Sequence, residues 1–203
     1  MKNAKSFDTR KLVLLALLTA IVIVLQALSA QIRFGPFSIT LALLPITIGA
    51  ALIGAYAGAW LGLVFAAVIL LSGDANVFLA INPAATIISI LLRGLILGFV
   101  VGAVYRLIAR KNKTAGAITA AVLSPIVNTG LFVAIVYLFF LPYITEWAQV
   151  FGFASTAAYV FLGMIGVNFL IEFAVNIVFC SVIVRLVEYG QDRNEYRRVQ
   201  TES

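Results

Sequence analysis

Residues 82–110 read NPAATIISILLRGLILGFVVGAVYRLIAR, and this stretch decides the fold. Asn82-Pro83 is a helix-start signal, because asparagine caps well and proline has no N–H to leave unsatisfied. From Ala84 to Ile108 the only charges are Arg93 and, near the end, Arg106. A helix needs ~20 mostly apolar residues to cross a bilayer, so this one is long enough to span. Arg93 lies about nine residues in, roughly 14 Å deep at ~1.5 Å per residue. Gly94, Gly98 and Gly102 recur every four residues and so share one helix face. Small residues at that spacing let another backbone approach closely.

The rest of the chain has the same character. Its 203 residues are 63% hydrophobic and only 11% charged. A soluble domain carries about 25% charged residues, so the bilayer must be the main solvent. Further apolar stretches run over 12–30, 39–56, 57–72, 115–141 and 157–186. The expected fold is all-α, a polytopic membrane bundle of six transmembrane helices forming a single domain over 1–203. A five-helix reading with one re-entrant segment is the alternative, since the division near Gly54 is the weakest boundary. The intervening segments 31–38, 73–83 and 142–156 are expected as loops, with Gly35-Pro36 as a turn signal.

Basic residues orient the bundle. Lys2, Lys5, Arg10 and Lys11 precede the first stretch, and Arg106, Arg110, Lys111 and Lys113 join the fourth to the fifth. Arg185, Arg193, Arg197 and Arg198 follow the sixth. With six spans all three groups fall on one side, which the positive-inside rule makes cytoplasmic. Both termini are then cytoplasmic, with 1–11 and 187–203 as tails, and the chain belongs in the cell (inner) membrane. The basic groups read as topology signals and anchors to anionic membrane lipids, not as a nucleic-acid surface.

Several chemistries are excluded. There is no histidine and only one cysteine, Cys180, so a metal site lacks its commonest ligands. No nucleotide-binding or hydrolase signature is present. The chain is read as no enzyme, with no cofactor of its own.

Polar groups inside spans carry the functional signal, because a charge there is costly unless paired or hydrated. Arg93 and Glu172 are the two charged examples. Asn168, Glu172 and Asn176 are spaced by four and share one helix face. Asn128, with Thr129 beside it, lies near the middle of the fifth span, and Gln26 in the outer half of the first. Arg93, Asn128 and Asn168 lie at comparable depth, with Glu172 about 6 Å further along, and the four could line a small-molecule pocket. They could equally be structural: Arg93 could pair with Glu172, and the asparagines could join helices. Asn82 is a further pocket candidate, although its capping role suffices to explain it. Phe34, Phe37, Phe78, Tyr143 and Trp147 read as interface anchors, with a lid over an outward-facing pocket as the alternative. Few aromatics are expected near Arg93. Ala16 and Ala20 form a small pair on helix one, and Gly54, Gly58 and Gly62 a series beside the second helix division.

This ordered set resembles the substrate-binding S components of energy-coupling factor (ECF) vitamin transporters. The likeness runs through Thr9-Arg10-Lys11-Leu12-Val13, the Ala16/Ala20 pair, Phe37-Ser38-Ile39-Thr40, Leu44-Pro45, Asn82-Pro83 and Arg93-Gly94. It is nearest the branch of pantothenate and riboflavin binders. The resemblance implies that Ala16 and Ala20 dock a T-type coupling subunit and that two partner ATPases use the ATP. It also implies a vitamin bound near the outer face. A buried arginine points to an anionic or strongly hydrogen-bonding ligand, for which pantothenate fits and riboflavin comes next. Two other classes compete: a small intramembrane lipid-processing enzyme using Glu172, and a stand-alone transporter.

Overall fold

A computed structural model describes residues 9–34, 37–186 and 189. The basic residues Lys2, Lys5, Arg193, Arg197 and Arg198, the Gly35-Pro36 turn and the rings of Phe34 and Phe37 lie outside the described residues or side chains. The architecture is helical, with one two-residue antiparallel hairpin, Arg33–Phe34 (β1) against Phe37–Ser38 (β2). Helix satisfies every backbone polar group locally, which the hydrocarbon layer demands.

Among the described residues, four helices are long and apolar enough to cross a membrane: α1 (Thr9–Ser29), α3 (Ala55–Ser72), α5 (Pro83–Ala109) and the continuous Lys113–Val150. The last comprises α6 (Lys113–Ile135), a π-helical segment (Val136–Phe140) and α7 (Leu141–Val150). A fifth span forms if Thr156–Met164 and Gly166–Val178 (α9), which meet at a 44° bend, count as one. Within that pair α8 is Thr156–Ala158, and a second π-helical segment covers Tyr159–Met164. The short α4 is Asn76–Ile81.

Three sequence expectations change. The stretch 39–56 yields only a ten-residue helix, α2 (Leu43–Leu52), about 15 Å long at ~1.5 Å per residue. Residues before it are drawn into the hairpin and its exit. Pro142 does not stop the helix: it occupies the first turn of α7 just after the π-helical segment, where its missing N–H costs little. The segment 142–156 is therefore mostly helix rather than loop. Finally, the stretch 157–186 is bent at Gly166, where a Cβ would stand 2.8 Å from the Phe161 carbonyl oxygen.

Glycines set the closest packing. Gly54 divides α2 from α3 at φ +134°, a conformation that favours glycine. The two series then face one another across α3 and α5. A Cβ on Gly62 would lie 1.9 Å from the Gly94 carbonyl oxygen, and one on Gly58 would lie 2.4 Å from that of Gly98. The helices thus touch backbone to backbone. Caps fix the starts: Asn82 Oδ1 accepts from Ala85 N at 3.1 Å and Asn112 Oδ1 from Ala115 N at 2.9 Å.

Two apolar clusters complete the bundle. One gathers Leu18, Val22, Leu43, Ile46, Leu61, Phe65, Leu97 and Val101. The other, Phe78, Val136, Phe140, Ile144, Tyr159, Val160 and Met164, sits at the end that carries α4 and α7.

Candidate functional site

A cavity of about 110 Å³ opens at that same end, bounded by residues of both clusters. A single water needs ~10–15 Å³ on this measure, so there is room for several waters or one small organic molecule. Its wall is assembled from the end of α1, the exit of the hairpin, the α3–α4 turn, the first half of α5, the second half of α6 and the start of α9.

Four sequence-predicted residues line this one space: Arg93, Asn128, Asn168 and Glu172. Asn128, Asn168 and Glu172 are only 5%, 7% and 5% exposed. Their burial follows from the four-residue spacing, which turns Asn168, Glu172 and Asn176 together toward the interior of the bundle. Gln26, Thr129, Ser38, Thr40 and Asp74 also reach the wall.

Asn82 is not part of it. Its exposed side chain caps α5. Asn82→Ala should therefore lower stability by about 1 kcal/mol, measured by thermal unfolding in detergent, while ligand affinity stays unchanged.

The hydrogen bonds of Glu172 go to neighbours other than Arg93, whose charge reaches it only through space. Its Oε1 accepts from Thr40 N at 2.9 Å and its Oε2 from Asn128 Nδ2 at 3.3 Å. Asn176 Nδ2 donates to the Glu172 carbonyl at 2.9 Å. The carboxylate thereby ties three segments: the hairpin exit, α6 and α9.

Arg93 makes no direct ion pair among the described residues, although the Glu172 charge acts on it through space. Its Nε has no hydrogen-bond partner among the described residues. The guanidinium instead lies between two rings, with Cζ 5.9 Å from the Phe65 centroid and 5.6 Å from that of Phe132. Such contacts contribute ~0.5–2 kcal/mol each. An unmade buried hydrogen bond costs ~1–3 kcal/mol, and a ligand acceptor would offset it.

Aromatics are more numerous here than the sequence reading expected. Phe78, Phe132, Phe140 and Phe169 all line the cavity. The Phe78 ring packs 4.7 Å from Phe140 and 6.4 Å from Trp147. Phe78 is 6% exposed, so it is a wall residue and not an interface anchor. Nothing distinguishes a cavity phenylalanine from a lipid-facing one when both stand in apolar sequence.

Asp74 was also missed. Its Oδ2 accepts from Ser38 Oγ at 2.7 Å and Ser72 Oγ at 3.3 Å, tying the hairpin to the α3–α4 turn. The polar start of segment 73–83 was the available signal. Thr40 contributes through its side chain and also through its backbone N–H, which side-chain chemistry does not reveal.

On helix one, Ala16 and Ala20 are exposed, among exposed Val13, Leu17 and Val24. They do not pack within the bundle.

Comparison with known proteins agrees with this architecture. No curated protein matches the chain. Among solved structures it is similar to ThiT from Listeria monocytogenes, with a TM-score of 0.57 and 21% identity, covering 88% of this chain and 97% of that one. At that identity the likeness concerns the fold. Residues 10–184 match the family described as "ECF transporter, substrate-specific component". The chain therefore belongs to the substrate-specific components of ECF transporters, and is a membrane-embedded transporter subunit rather than an enzyme.

Proposed function

We propose that the chain captures a water-soluble vitamin in the cavity beside Arg93 and delivers it inward with a T-type coupling subunit and two ATPase subunits. Pantothenate is the preferred substrate. The observation that carries this reading is Arg93, whose Nε lacks a partner in a wall otherwise rich in hydrogen-bonding groups. Pantothenate offers a carboxylate to Arg93 and hydroxyl and amide groups to Asn128 and Asn168. Glu172 shapes the same wall.

The topology belongs to this reading. The chain crosses the cell membrane six times, with α2 as a short second crossing and both termini cytoplasmic. The distribution of basic residues supports an even number of crossings. The cavity then opens outward, at the end remote from the Arg110-Lys111 link.

A second substrate has a specific observation in its favour. The rings of Phe78, Phe132 and Phe140 would suit a flat aromatic vitamin such as riboflavin. The two are separated by uptake of radiolabelled pantothenate into cells expressing the chain with its T and ATPase partners, with unlabelled riboflavin as competitor. Pantothenate uptake that resists riboflavin supports the first reading. Uptake of riboflavin alone replaces it with the second, and uptake of either without the partner subunits refutes the carrier-subunit role.

Ala16 and Ala20 are proposed as the docking point for the T subunit. Their exposure among apolar neighbours on α1 supports this. Ala16→Trp and Ala20→Trp should each cut uptake at least about tenfold while leaving binding by the purified chain intact, since a large ring blocks close backbone approach. Normal uptake and normal assembly in the double substitution would refute the docking assignment.

A further inference from the structure

The carboxylate of Glu172 does something that lining a cavity alone does not require. An ionised carboxylate can only accept hydrogen bonds, whereas an asparagine amide has a donating end and an accepting end. With Glu172 ionised, only Nδ2 of Asn128 can therefore face its Oε2, and Nδ2 does so at 3.3 Å. The amide oxygen must then turn away from Glu172. Asn128 Oδ1 is buried and has no hydrogen-bond partner among the described residues, and its residue lines the cavity. Gln26, 1% exposed and also lining the cavity, likewise holds its Oε1 without a partner among the described residues.

We propose that Glu172 is a positioning residue: by holding the NH₂ of Asn128 it fixes the amide so that the oxygen serves the ligand. Together with Gln26 this gives the cavity lining two hydrogen-bond acceptors. The ligand accepted there presents hydroxyl or N–H donors to them and an acceptor or anionic group to Arg93. This inference rests on the substrate-capture reading and adds to it the polarity of the ligand and the residue that sets it.

The Thr40 contact makes the arrangement sensitive to one atom. Thr40 N is a fixed donor, already satisfied by Glu172 Oε1. In Glu172→Gln the single acceptor oxygen is needed for Thr40, so the new NH₂ confronts Asn128 and turns its amide over. The wall then loses an acceptor and gains a donor. Asn128→Asp alone sets two carboxylates against each other. In the double substitution E172Q/N128D the carboxylate at 128 accepts from the amide at 172 and keeps a second oxygen for the ligand.

The test uses the purified full chain in detergent, with wild type, E172Q, N128D and the double variant. Binding of pantothenate is compared with that of its analogue lacking both hydroxyls, and thermal unfolding is recorded for all four. Wild type should prefer pantothenate at least about tenfold. E172Q should lose most of that preference, and the double variant should regain it to within about threefold. A merely structural tie to Thr40 would weaken both ligands equally and leave the ratio unchanged, and N128D would not rescue it. Either result overturns the proposal. Should wild type bind neither compound, pantothenate as substrate is refuted, and the unfolding cycle decides the positioning separately. A double variant more stable than either single then supports it, and additive losses overturn it.

Discussion

Arg93→Ala should weaken vitamin binding about 100-fold or more, the largest effect expected of any cavity substitution. Truncating one side of a buried, hydrogen-bonded charge contact costs ~2–5 kcal/mol, much of it from leaving the partner charge unsatisfied. Here the partner would be the ligand itself, because Glu172 is engaged by Thr40 and Asn128. Arg93→Lys should fall between the two. Lysine keeps the charge but loses the planar fork and the fit between the Phe65 and Phe132 rings. Equilibrium binding to purified protein gives the numbers. An Arg93→Ala affinity within about threefold of wild type would mean that the ligand does not use this group.

Gly62→Leu should prevent the chain from being recovered as a folded, monodisperse protein. Even the first added carbon would stand 1.9 Å from the Gly94 carbonyl oxygen, and the neighbouring atoms are backbone. Neither helix can yield by rotating a side chain, so α3 and α5 must separate along their whole contact. Overpacking of one methylene typically costs ~1–3 kcal/mol, and a leucine adds several against a total stability of ~5–15 kcal/mol. Gly62→Ala should fold but unfold at a lower temperature. Gly130 supplies the contrast: it is helical, and nothing lies within 4 Å of its would-be Cβ. Gly130→Ala should be neutral or stabilising by ~0.5–1 kcal/mol, as expected of a helix glycine without a packing role. Equal tolerance at both glycines would refute backbone contact as the basis of the α3–α5 pair.

These two cases show where sequence carried the structure and where it did not. The glycine spacing was visible, and so was the helix start at Asn82-Pro83, because each rests on a local rule of geometry or capping. The length of α2 was not, since Ile39 and Thr40 are as apolar or β-branched as the helix that follows and their diversion into the hairpin exit is a tertiary matter. The continuation through Pro142 depends on the π-helical segment before it, which leaves no compositional mark. In the site, depth counting along the spans brought Arg93, Asn128, Asn168 and Glu172 to one cavity. It did not reveal that Arg93 and Glu172 would interact through space without a direct ion pair. That outcome turns on a backbone donor, Thr40 N, and on two rings from other helices. Asp74 escaped for the same reason, and Phe78 was read first as an anchor: a loop acid and an apolar ring acquire meaning only when the fold closes around them.

The most direct test of the central claim is mass spectrometry of whatever small molecule is released on denaturing the purified protein, compared between wild type and Arg93→Ala. The account predicts a vitamin in near-stoichiometric amount from wild type, pantothenate first among candidates, and little or none from the variant. Wild type that yields no small molecule and takes up none from a vitamin mixture would contradict it.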